Sequence, residues 1–353
     1  MKRPLCTLIV LVIATASASA AEKDEVKPNR LTPKEIADGW ILLFDGETTF
    51  GWKIDGEAKV ENGVLVLGGL KAAKAETTTA FDGMNAALEV ETSWEGTTPP
   101  SLMLPGEKTP LKLDDSSRGK FVPQKVKSEG LPRAGRIRQQ FFEVPAGTRL
   151  LLRNVKYRPL GLKPIFNGKD LSGWREIPGR RSKFTVTEKG ELNVKDGNGD
   201  LQTEGQWADF ILQLEVIVGG KHLNSGVFFR CLPGQFWSGY ESQIRNQWRG
   251  DDRSRPVDYG TGGIYNRQPA RRVVSTDREW FTKTIIARGN HIAVWVNGYQ
   301  VSDFTDTRPA NNNARRGTKL DKGPISLQGH DPTTDLSFRN IRIAELARQG
   351  QGK

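Results

Sequence analysis

The chain has 353 residues and a formal net charge of +11, from 52 Lys and Arg against 41 Asp and Glu. The basic residues are scattered, so we interpret them as solvated loops and expect no nucleic-acid partner. There are two cysteines, Cys6 and Cys231, and the first lies in a segment that we expect to be removed. Without an intramolecular disulfide, stability must come from a hydrophobic core, which a chain of this length can bury.

The N-terminus has the three parts of a secretory signal peptide: Lys2 and Arg3, an apolar run over residues 8–13, and small residues ending at Ala20. We therefore predict a signal peptide at residues 1–20, cleaved near Ala20, and a secreted or periplasmic protein. No stretch reaches the roughly 20 apolar residues that a transmembrane helix needs, so we expect no membrane span.

An internal repeat divides the rest of the chain. Residues 44–52 match residues 166–174, with Phe, Gly and Trp at the same spacing. Each copy also ends alike, with the sequence RNVK in the first and RNIR in the second. We predict two tandem domains, residues 38–159 and 164–346, of which the first is shorter and degenerate.

Segments outside the two domains are interpreted as accessory. Residues 21–37 are a charged leader with one helical turn near residues 33–38. Residues 347–353 are a frayed tail. We assign no function to either segment.

Alternating apolar residues predict strands throughout both halves, as in residues 210–216 and 292–296. Asn297-Gly298 is typical of a hairpin turn. Helical periodicity is nearly absent. Many short strands with Gly-rich turns predict an all-β fold, either an antiparallel β-sandwich or a jelly roll.

Polar and apolar residues alternate in three predicted strands of the second half, so the polar side chains should share one sheet face. The residues concerned are Asn224, Phe228 and Arg230 in the first strand, Glu241 and Gln243 in the second, and Gln328 and His330 in the third. If these strands are neighbours, the side chains converge on one concave surface that suits sugar hydroxyls. The first half lacks these sets, so we assign the chemistry to the second half and interpret the first as a packing or substrate-positioning module.

Each candidate also has a purely structural interpretation. Glu241 can form a surface ion pair with Arg230, and His330 can be a hydrogen-bonded residue at a strand end. The other two histidines are interpreted as structural or exposed. Residues 196–200 (DGNGD) are interpreted as a turn, because a calcium loop would need a bidentate Glu at its end. Zinc-protease, phosphate-loop and serine-hydrolase motifs do not occur in the sequence.

Seven motifs of the second half, in the right order, closely resemble the 3-keto-disaccharide hydrolase domain family. They are FNGKDLSGW (166–174), NSGVFFR (224–230), YESQ (240–243), TGGIY (261–265), VNG (296–298), GPISLQGH (323–330) and FRNIR (338–342). The resemblance covers essentially all of residues 164–346. It implies a concanavalin A-like jelly-roll β-sandwich and action on glycosides that are already oxidised to a ketone at sugar carbon 3.

Such a ketone acidifies the proton on carbon 2, so a general base can remove it and the glycosidic oxygen on carbon 1 can leave by β-elimination. Water then adds to the enone, which gives net hydrolysis. By this resemblance His330 or Glu241 is the base, and Arg230 or a bound cation stabilises the enolate. A divalent metal held by Glu241 and His330 is an alternative Lewis acid. The residues expected to bind the sugar are Asn224, Tyr240, Gln243, Tyr265 and Gln328.

Three functions are consistent with the sequence. The first is an exported hydrolase or lyase of 3-keto-glycosides, working with a separate oxidoreductase that makes the ketone. The second is a non-catalytic carbohydrate-binding module, in which aromatic residues such as Trp237, Tyr240 and Trp295 bind glycans without cleaving them. A conventional glycosidase with two carboxylates ranks lowest, because only Glu241 is well placed.

Overall fold

The computed structural model describes residues 27–81, 85–103, 110–128 and 141–346. The predicted signal peptide at residues 1–20 and the predicted tail at residues 347–353 lie outside the described residues. Within the described ranges there is one short α-helix, α1 (Pro33–Ala37), and one 3₁₀ helix (Asp115–Ser117). No helix in these ranges is long and apolar enough to cross a membrane.

The first half consists of antiparallel strands in two sheets. The strands are β1 (Ile41–Leu42), β2 (Trp52–Asp55), β3 (Ala58–Glu61), β4 (Val64–Gly69), β5 (Ala73–Thr77), β6 (Ala86–Glu95), β7 (Ser101–Met103), β8 (Leu111–Lys112), β9 (Val122–Ser128), β10 (Phe141–Val144) and β11 (Thr148–Pro159). One sheet has the order β3-β4-β11-β6-β9, with β1 also paired to β11, and the other has the order β2-β5-β10-β7-β8.

The second half repeats this plan with longer strands. They are β12 (Lys163–Pro164), β13 (Trp174–Glu176), β14 (Lys183–Val186), β15 (Leu192–Lys195), β16 (Gly199–Thr203), β17 (Phe210–Val218), β18 (Ser225–Phe229), β19 (Tyr240–Ile244), β20 (Trp248–Arg249), β21 (Asp252–Pro256), β22 (Phe281–Arg288), β23 (His291–Val296), β24 (Tyr299–Thr305), β25 (Ser326–Gly329) and β26 (Asp335–Glu345).

The larger sheet of the second half has the order β14-β15-β26-β17-β22-β23-β24, with β12 on β26, and the smaller has the order β13-β16-β25-β18-β19. Strands β20 and β21 form a separate hairpin. The predicted fold class is confirmed: the chain is all-β, with two tandem concanavalin A-like sandwiches. The first copy is the smaller, with sheets of six and five strands against eight and five.

Strand β17 shows how the alternating pattern builds two cores. Phe210, Leu212 and Leu214 point into the core between the two sheets of the second half. Ile211, on the opposite face of the same strand, belongs to the core that includes the first half. Because neighbouring residues of a strand point to opposite faces, the larger sheet is buried on both sides where the first half covers it.

The contact between the halves is centred on Trp295 of β23, which is fully buried. Its Nε1 donates a hydrogen bond to the carbonyl oxygen of Leu42 at 2.8 Å. The backbone nitrogen of Leu42 in turn donates to the carbonyl oxygen of Gly298 at 2.7 Å. The ring centroid of Trp295 lies 6.2 Å from that of Phe81 in the first half. The described part of the first half therefore packs on the larger sheet, on the face turned away from the smaller, five-stranded sheet.

Part of the predicted leader is built into the first half. Thr32 and Glu35 form a reciprocal capping box at the start of α1. Upstream of the helix, Asn29 and Asn154 exchange two backbone-to-side-chain hydrogen bonds of 2.6 and 2.8 Å. Lys156 also donates to Glu35 at 2.6 Å. These contacts hold the described part of the leader against β11.

Replacing Trp295 by Ala tests the importance of this contact. We expect Trp295→Ala to lower the free energy of unfolding by about 3–5 kcal/mol, because a large buried ring and its hydrogen bond are lost. Leu70→Ala is the control, since Leu70 is 90% exposed and its loss should change stability by less than about 0.5 kcal/mol. Denaturant titration of both variants measures the difference. Equal unfolding midpoints would show that Trp295 does not stabilise the contact between the halves.

Candidate functional site

The five-stranded sheet of the second half has a polar outer face. Val227 and Leu327 point into the core, so their neighbours in the strands point outwards. We call these outward residues the polar face: Asp200 and Gln202 of β16, Ser326 and Gln328 of β25, Phe228 of β18, and Glu241 and Gln243 of β19. In the register Asp200 lies opposite Gln328, and Phe228 lies opposite both Ser326 and Glu241. The set is therefore contiguous across four strands.

Glu241 forms the central ion pair of the polar face. Its Oε2 accepts a hydrogen bond from Nη2 of Arg315 at 2.6 Å, and only 4% of the Glu241 side chain is exposed. Tyr265 lies beside it, because the Tyr265 amide donates to the Glu241 carbonyl oxygen at 3.0 Å. The predicted ion pair of Glu241 with Arg230 is thus replaced by one with Arg315.

Three aromatic rings surround the guanidinium of Arg315. Its central carbon lies 4.2 Å from the ring centroid of Trp237, 5.0 Å from that of Phe228 and 5.4 Å from that of Tyr265. Such cation–π contacts strengthen when water is excluded. Among the described residues, the buried Nε of Arg315 has no hydrogen-bond partner. We call this group of three rings the aromatic cage; it surrounds a positively charged donor that is bonded to Glu241.

Burial raises the pKa of Glu241 to about 7, although the charges of Arg315 and Lys283 act in the opposite direction. Lys283 acts on Glu241 electrostatically from the sandwich interior. Its Nζ donates to the carbonyl oxygens of Ser242 and Gln243 at 2.7 and 2.8 Å. A carboxyl group with a pKa near neutrality can both accept and donate a proton under ordinary conditions.

Asp200 is a second carboxyl group on the same face. Burial raises the pKa of Asp200 to about 6, against the opposing effects of the Trp237 amide and of the nearby Arg315 and Arg180 charges. The Trp237 amide donates to Oδ2 of Asp200 at 2.9 Å. The sequence analysis assigned this residue to a turn, but it lies in β16. The polar face therefore holds two carboxyl groups with raised pKa values, both close to Arg315.

A hydrogen-bonded chain extends along the face to His330. Nδ1 of His330 lies 2.8 Å from Oδ2 of Asp331, and its Nε2 lies 3.3 Å from Nδ2 of Asn224. Asn224 also donates to Asp258 at 2.9 Å, and Gln243 donates to the same carboxylate at 3.0 Å. With Nδ1 protonated and donating to Asp331, Nε2 can accept from Asn224.

Six of the predicted site residues are thus brought to one face, and two are not. The six are Glu241, Gln243, Gln328, Asn224, His330 and Tyr265. Gln328 is 2% exposed, and its Oε1 has no hydrogen-bond partner in the part of the chain that the structure describes. These positions agree with the predicted alternation, whereas their roles stay predictions.

The structure corrects the placement of Arg230. Its φ of 51° ends the strand alternation just after Phe229, so the side chain turns away from the polar face. The guanidinium is fully buried and forms an ion pair with Asp209 at 3.0 Å. It also donates to the carbonyl oxygens of Ala208, Gly289 and Lys319. Arg230 is therefore part of the internal framework, and Arg315 takes the position expected of it.

The structure also corrects the placement of Tyr240. Its ring lies in the core and stacks on Phe229 with a centroid distance of 5.5 Å. Its hydroxyl donates to Oδ2 of Asp306 at 2.7 Å and accepts from the amide of Lys319. A side chain buried in this way cannot contact a sugar on the opposite face of the sheet.

Glu241 and His330 do not form a common metal site. Glu241 is paired with Arg315, whereas His330 is held by Asp331 and Asn224. In the described ranges there is no group of three or more His, Cys, Asp and Glu side chains that could hold a metal ion. The alternative of a metal held by Glu241 and His330 therefore has no geometric support.

Two residues of the site, Arg315 and Asp200, were not predicted from the sequence, and Trp237 was named only for the carbohydrate-binding module. Arg315 was interpreted as part of a solvated basic loop, and nothing in its local sequence distinguishes it from Arg316. For Asp200 the signal was present, because Asp200 and Gln202 alternate with buried residues in β16. The alternation was overlooked because the strand begins directly after a Gly-rich turn.

The corresponding sheet of the first half lacks such a site. On β5 its outward residues Lys74 and Glu76 form an ion pair at 2.5 Å. Its edge strand β8 has only two residues, both exposed, so no residue of it takes the place of Glu241. The polar face with its aromatic cage belongs to the second half within the described residues.

A family model for the 3-keto-alpha-glucoside-1,2-lyase-like domain matches residues 161–344, more than half of the chain. The chain belongs to this family. The predicted resemblance is confirmed, and the matched range contains every residue of the polar face. The matched domain is carbohydrate-active and 3-keto-glucoside lyase-like.

Solved structures that are similar to the chain include two proteins from Parabacteroides distasonis described as "putative glycosyl hydrolase". One is 29% identical, covers 54% of this chain and 85% of its own, and has a TM-score of 0.40. The other is 26% identical, covers 53% of this chain and 100% of its own, and has a TM-score of 0.43. Among curated proteins no match is found.

The correction of Arg230 can be tested by stability. Arg230→Met should lower the free energy of unfolding by about 3–5 kcal/mol, because it leaves the Asp209 carboxylate buried without its partner. Arg316→Met is the matched control, since Arg316 is exposed. Thermal and denaturant unfolding of both variants measure the effect. An Arg230→Met protein as stable as the control would show that Arg230 is not part of the framework.

Proposed function

We propose that the protein is an exported enzyme that cleaves 3-keto-glycosides by removing the proton on carbon 2 and eliminating the glycosidic oxygen, followed by hydration. Family membership supports the substrate class. The observation that carries the proposal is the Glu241–Arg315 pair, with its 2.6 Å contact inside the aromatic cage. A separate oxidoreductase supplies the ketone.

The geometry of the pair matches the geometry of the reaction. In a 3-keto sugar the acidic proton is on carbon 2, and the charge that develops goes to the oxygen on the adjacent carbon 3. The base and the group that stabilises the enolate must therefore be neighbours. Glu241 and Arg315 are in direct contact, and the guanidinium of Arg315, whose side chain is 14% exposed, has N–H groups besides the one bonded to Glu241 that can donate to the enolate oxygen. His330, held by Asp331 and Asn224, is assigned to binding the sugar hydroxyls.

The proposed reaction is an elimination followed by the addition of water. Glu241 takes the proton from carbon 2, and the electron pair moves onto the carbon 3 oxygen beside Arg315. The enolate then re-forms the ketone, a carbon 1–carbon 2 double bond forms, and the bond from carbon 1 to the glycosidic oxygen breaks. The leaving oxygen takes up one proton. Water then adds its hydroxyl to carbon 1 and a proton to carbon 2, so that the sum is hydrolysis.

The first experiment compares a 3-keto-glucoside with its unoxidised parent. We expect the purified protein to release the aglycone from the keto form alone, because only the ketone acidifies carbon 2. Parallel assays with and without a chelator measure any dependence on a divalent metal. Release from the unoxidised parent would instead favour a glycosidase in which Asp200 and Glu241 are the two carboxylates.

Variants of the pair test the roles of its members. Glu241→Gln should lower kcat by about 100- to 10,000-fold because the base is lost. Arg315→Met should lower kcat by about 100- to 1,000-fold because the enolate loses its donor. Arg316→Met changes the exposed neighbour and should leave kcat unchanged. If Arg315→Met and Arg316→Met have equal effects, Arg315 does not stabilise the enolate.

The pH dependence gives a further test. Glu241 must be ionised to act as base, so kcat/KM should fall as the pH decreases through about 7, the pKa to which burial raises this group. The residual activity of Glu241→Gln should not show this fall of kcat/KM with decreasing pH. A fall that is unchanged in the variant would assign the titration to another group.

A second candidate function is a non-catalytic carbohydrate-binding module. The observation that favours it is the 46% exposure of Trp237, an aromatic ring beside a polar face. Its signature would be binding of glycans by the wild-type protein without turnover of either substrate, with loss of binding in Glu241→Gln and His330→Ala.

A further inference from the structure

Trp237 combines two unusual features in the loop that joins β18 to β19. Among the strongly exposed large hydrophobic residues of the described ranges it is the only aromatic one. Its φ is 54°, in the left-handed region that bulky residues rarely adopt. Such a conformation persists only where the surroundings enforce it, and it is often associated with function.

The surroundings of Trp237 do enforce this conformation. Its amide donates to Asp200 at 2.9 Å. Gln202 accepts from the amide of Gly234 at 2.9 Å and donates to the carbonyl oxygen of Gln235 at 3.2 Å. Asp200 and Gln202 are both nearly inaccessible to solvent and lie on the polar face. Two buried polar side chains thus fix a loop whose most prominent feature is an exposed indole ring.

The indole ring adjoins the proposed reaction centre on the side of Arg315. The guanidinium carbon lies 4.2 Å from the Trp237 ring centroid and 5.4 Å from that of Tyr265, and Tyr265 is also bonded through its amide to Glu241. In the proposed reaction, carbon 3 of the sugar faces Arg315, and carbon 2 with the adjoining carbon 1 faces Glu241. The leaving group therefore lies on the side of Glu241 and Tyr265, and the body of the keto ring lies on the side of Trp237.

We propose that Trp237 is the stacking platform for the keto-sugar ring itself, and so a residue that determines specificity for that ring. This inference rests on the proposed function. The apolar C–H face of a pyranose ring fits an aromatic face, and the ring becomes flatter as carbons 1 to 3 become trigonal during elimination. Binding by Trp237 is then independent of the leaving group.

The test uses two substrates that share the keto ring and differ in the leaving group: a 3-keto-disaccharide and methyl 3-keto-glucoside. Trp237→Ala should raise KM by about fivefold to tenfold for both, as expected for the loss of one stacked ring. Trp237→Phe keeps a ring and the backbone amide that binds Asp200, so it should restore most of the loss. Trp280→Ala, a partly buried tryptophan that contacts Arg339, is the control and should leave KM unchanged.

Three kinetic outcomes would overturn the proposal. A rise in KM for the disaccharide alone would place the leaving group on Trp237, and unchanged KM values would remove the residue from the binding site. Failure of Trp237→Phe to restore KM would mean that the loop and not the ring is responsible.

Calorimetric binding of methyl 3-keto-glucoside separates this inference from the proposed function. If the wild-type protein turns over neither substrate, the proposed elimination is wrong, but binding can still be compared. Weaker binding by Trp237→Ala and unaltered binding by Trp280→Ala would then support the platform. Equal binding by the wild-type protein and Trp237→Ala would overturn it.

Discussion

The buried ion pair between Glu241 and Arg315 is the interaction on which the polar face depends. Removing two charges from water is costly, and such a pair is tolerated only where geometry and further contacts compensate. Here the compensation comes from the 2.6 Å contact and from the three rings of the aromatic cage. The same low-dielectric environment raises the pKa of Glu241 and strengthens any bond that Arg315 makes to a developing negative charge. Burial therefore explains both the raised pKa of Glu241 and the strength of the electrostatic role that we propose for Arg315.

The position of Arg315 is set by residues that do not themselves lie on the polar face. Arg308 donates to both carboxylate oxygens of Asp306 and to the carbonyl oxygen of Ala314, and so fixes the loop that carries Arg315. Asp306 also accepts from Tyr240 in the core. Tyr240 thus contributes to the site through Asp306 and the loop, although it cannot reach a ligand. An arginine with a long, flexible side chain becomes a positioned donor because its backbone and its ring contacts are both fixed.

The two sheets of the second sandwich have different surroundings: the larger sheet contacts the first half, and the smaller sheet carries the polar face. The first half packs on the larger sheet, where Trp295 bonds to Leu42 and strand β17 is buried on both faces. The smaller sheet is left to carry polar side chains outwards. A sheet can carry such a face only if its other face supplies the core, and here Val227 and Leu327 do so between the polar positions. The degenerate first copy keeps the sandwich but has paired charges where the second copy has its site.

The sequence by itself determined the all-β class, the two tandem sandwiches and the common face of Glu241, Gln243 and Gln328, because side chains alternate with a period of two along any strand. It also determined the family, through seven motifs in the right order. Only the tertiary structure decided what faces Glu241. Arg230 leaves the face because its own positive φ ends the alternation. Arg315 enters the face from a loop that lies 74 positions after Glu241 in the sequence. Loop conformation depends on long-range hydrogen bonds, such as those of Asp306 and Asp200, and no local periodicity encodes them.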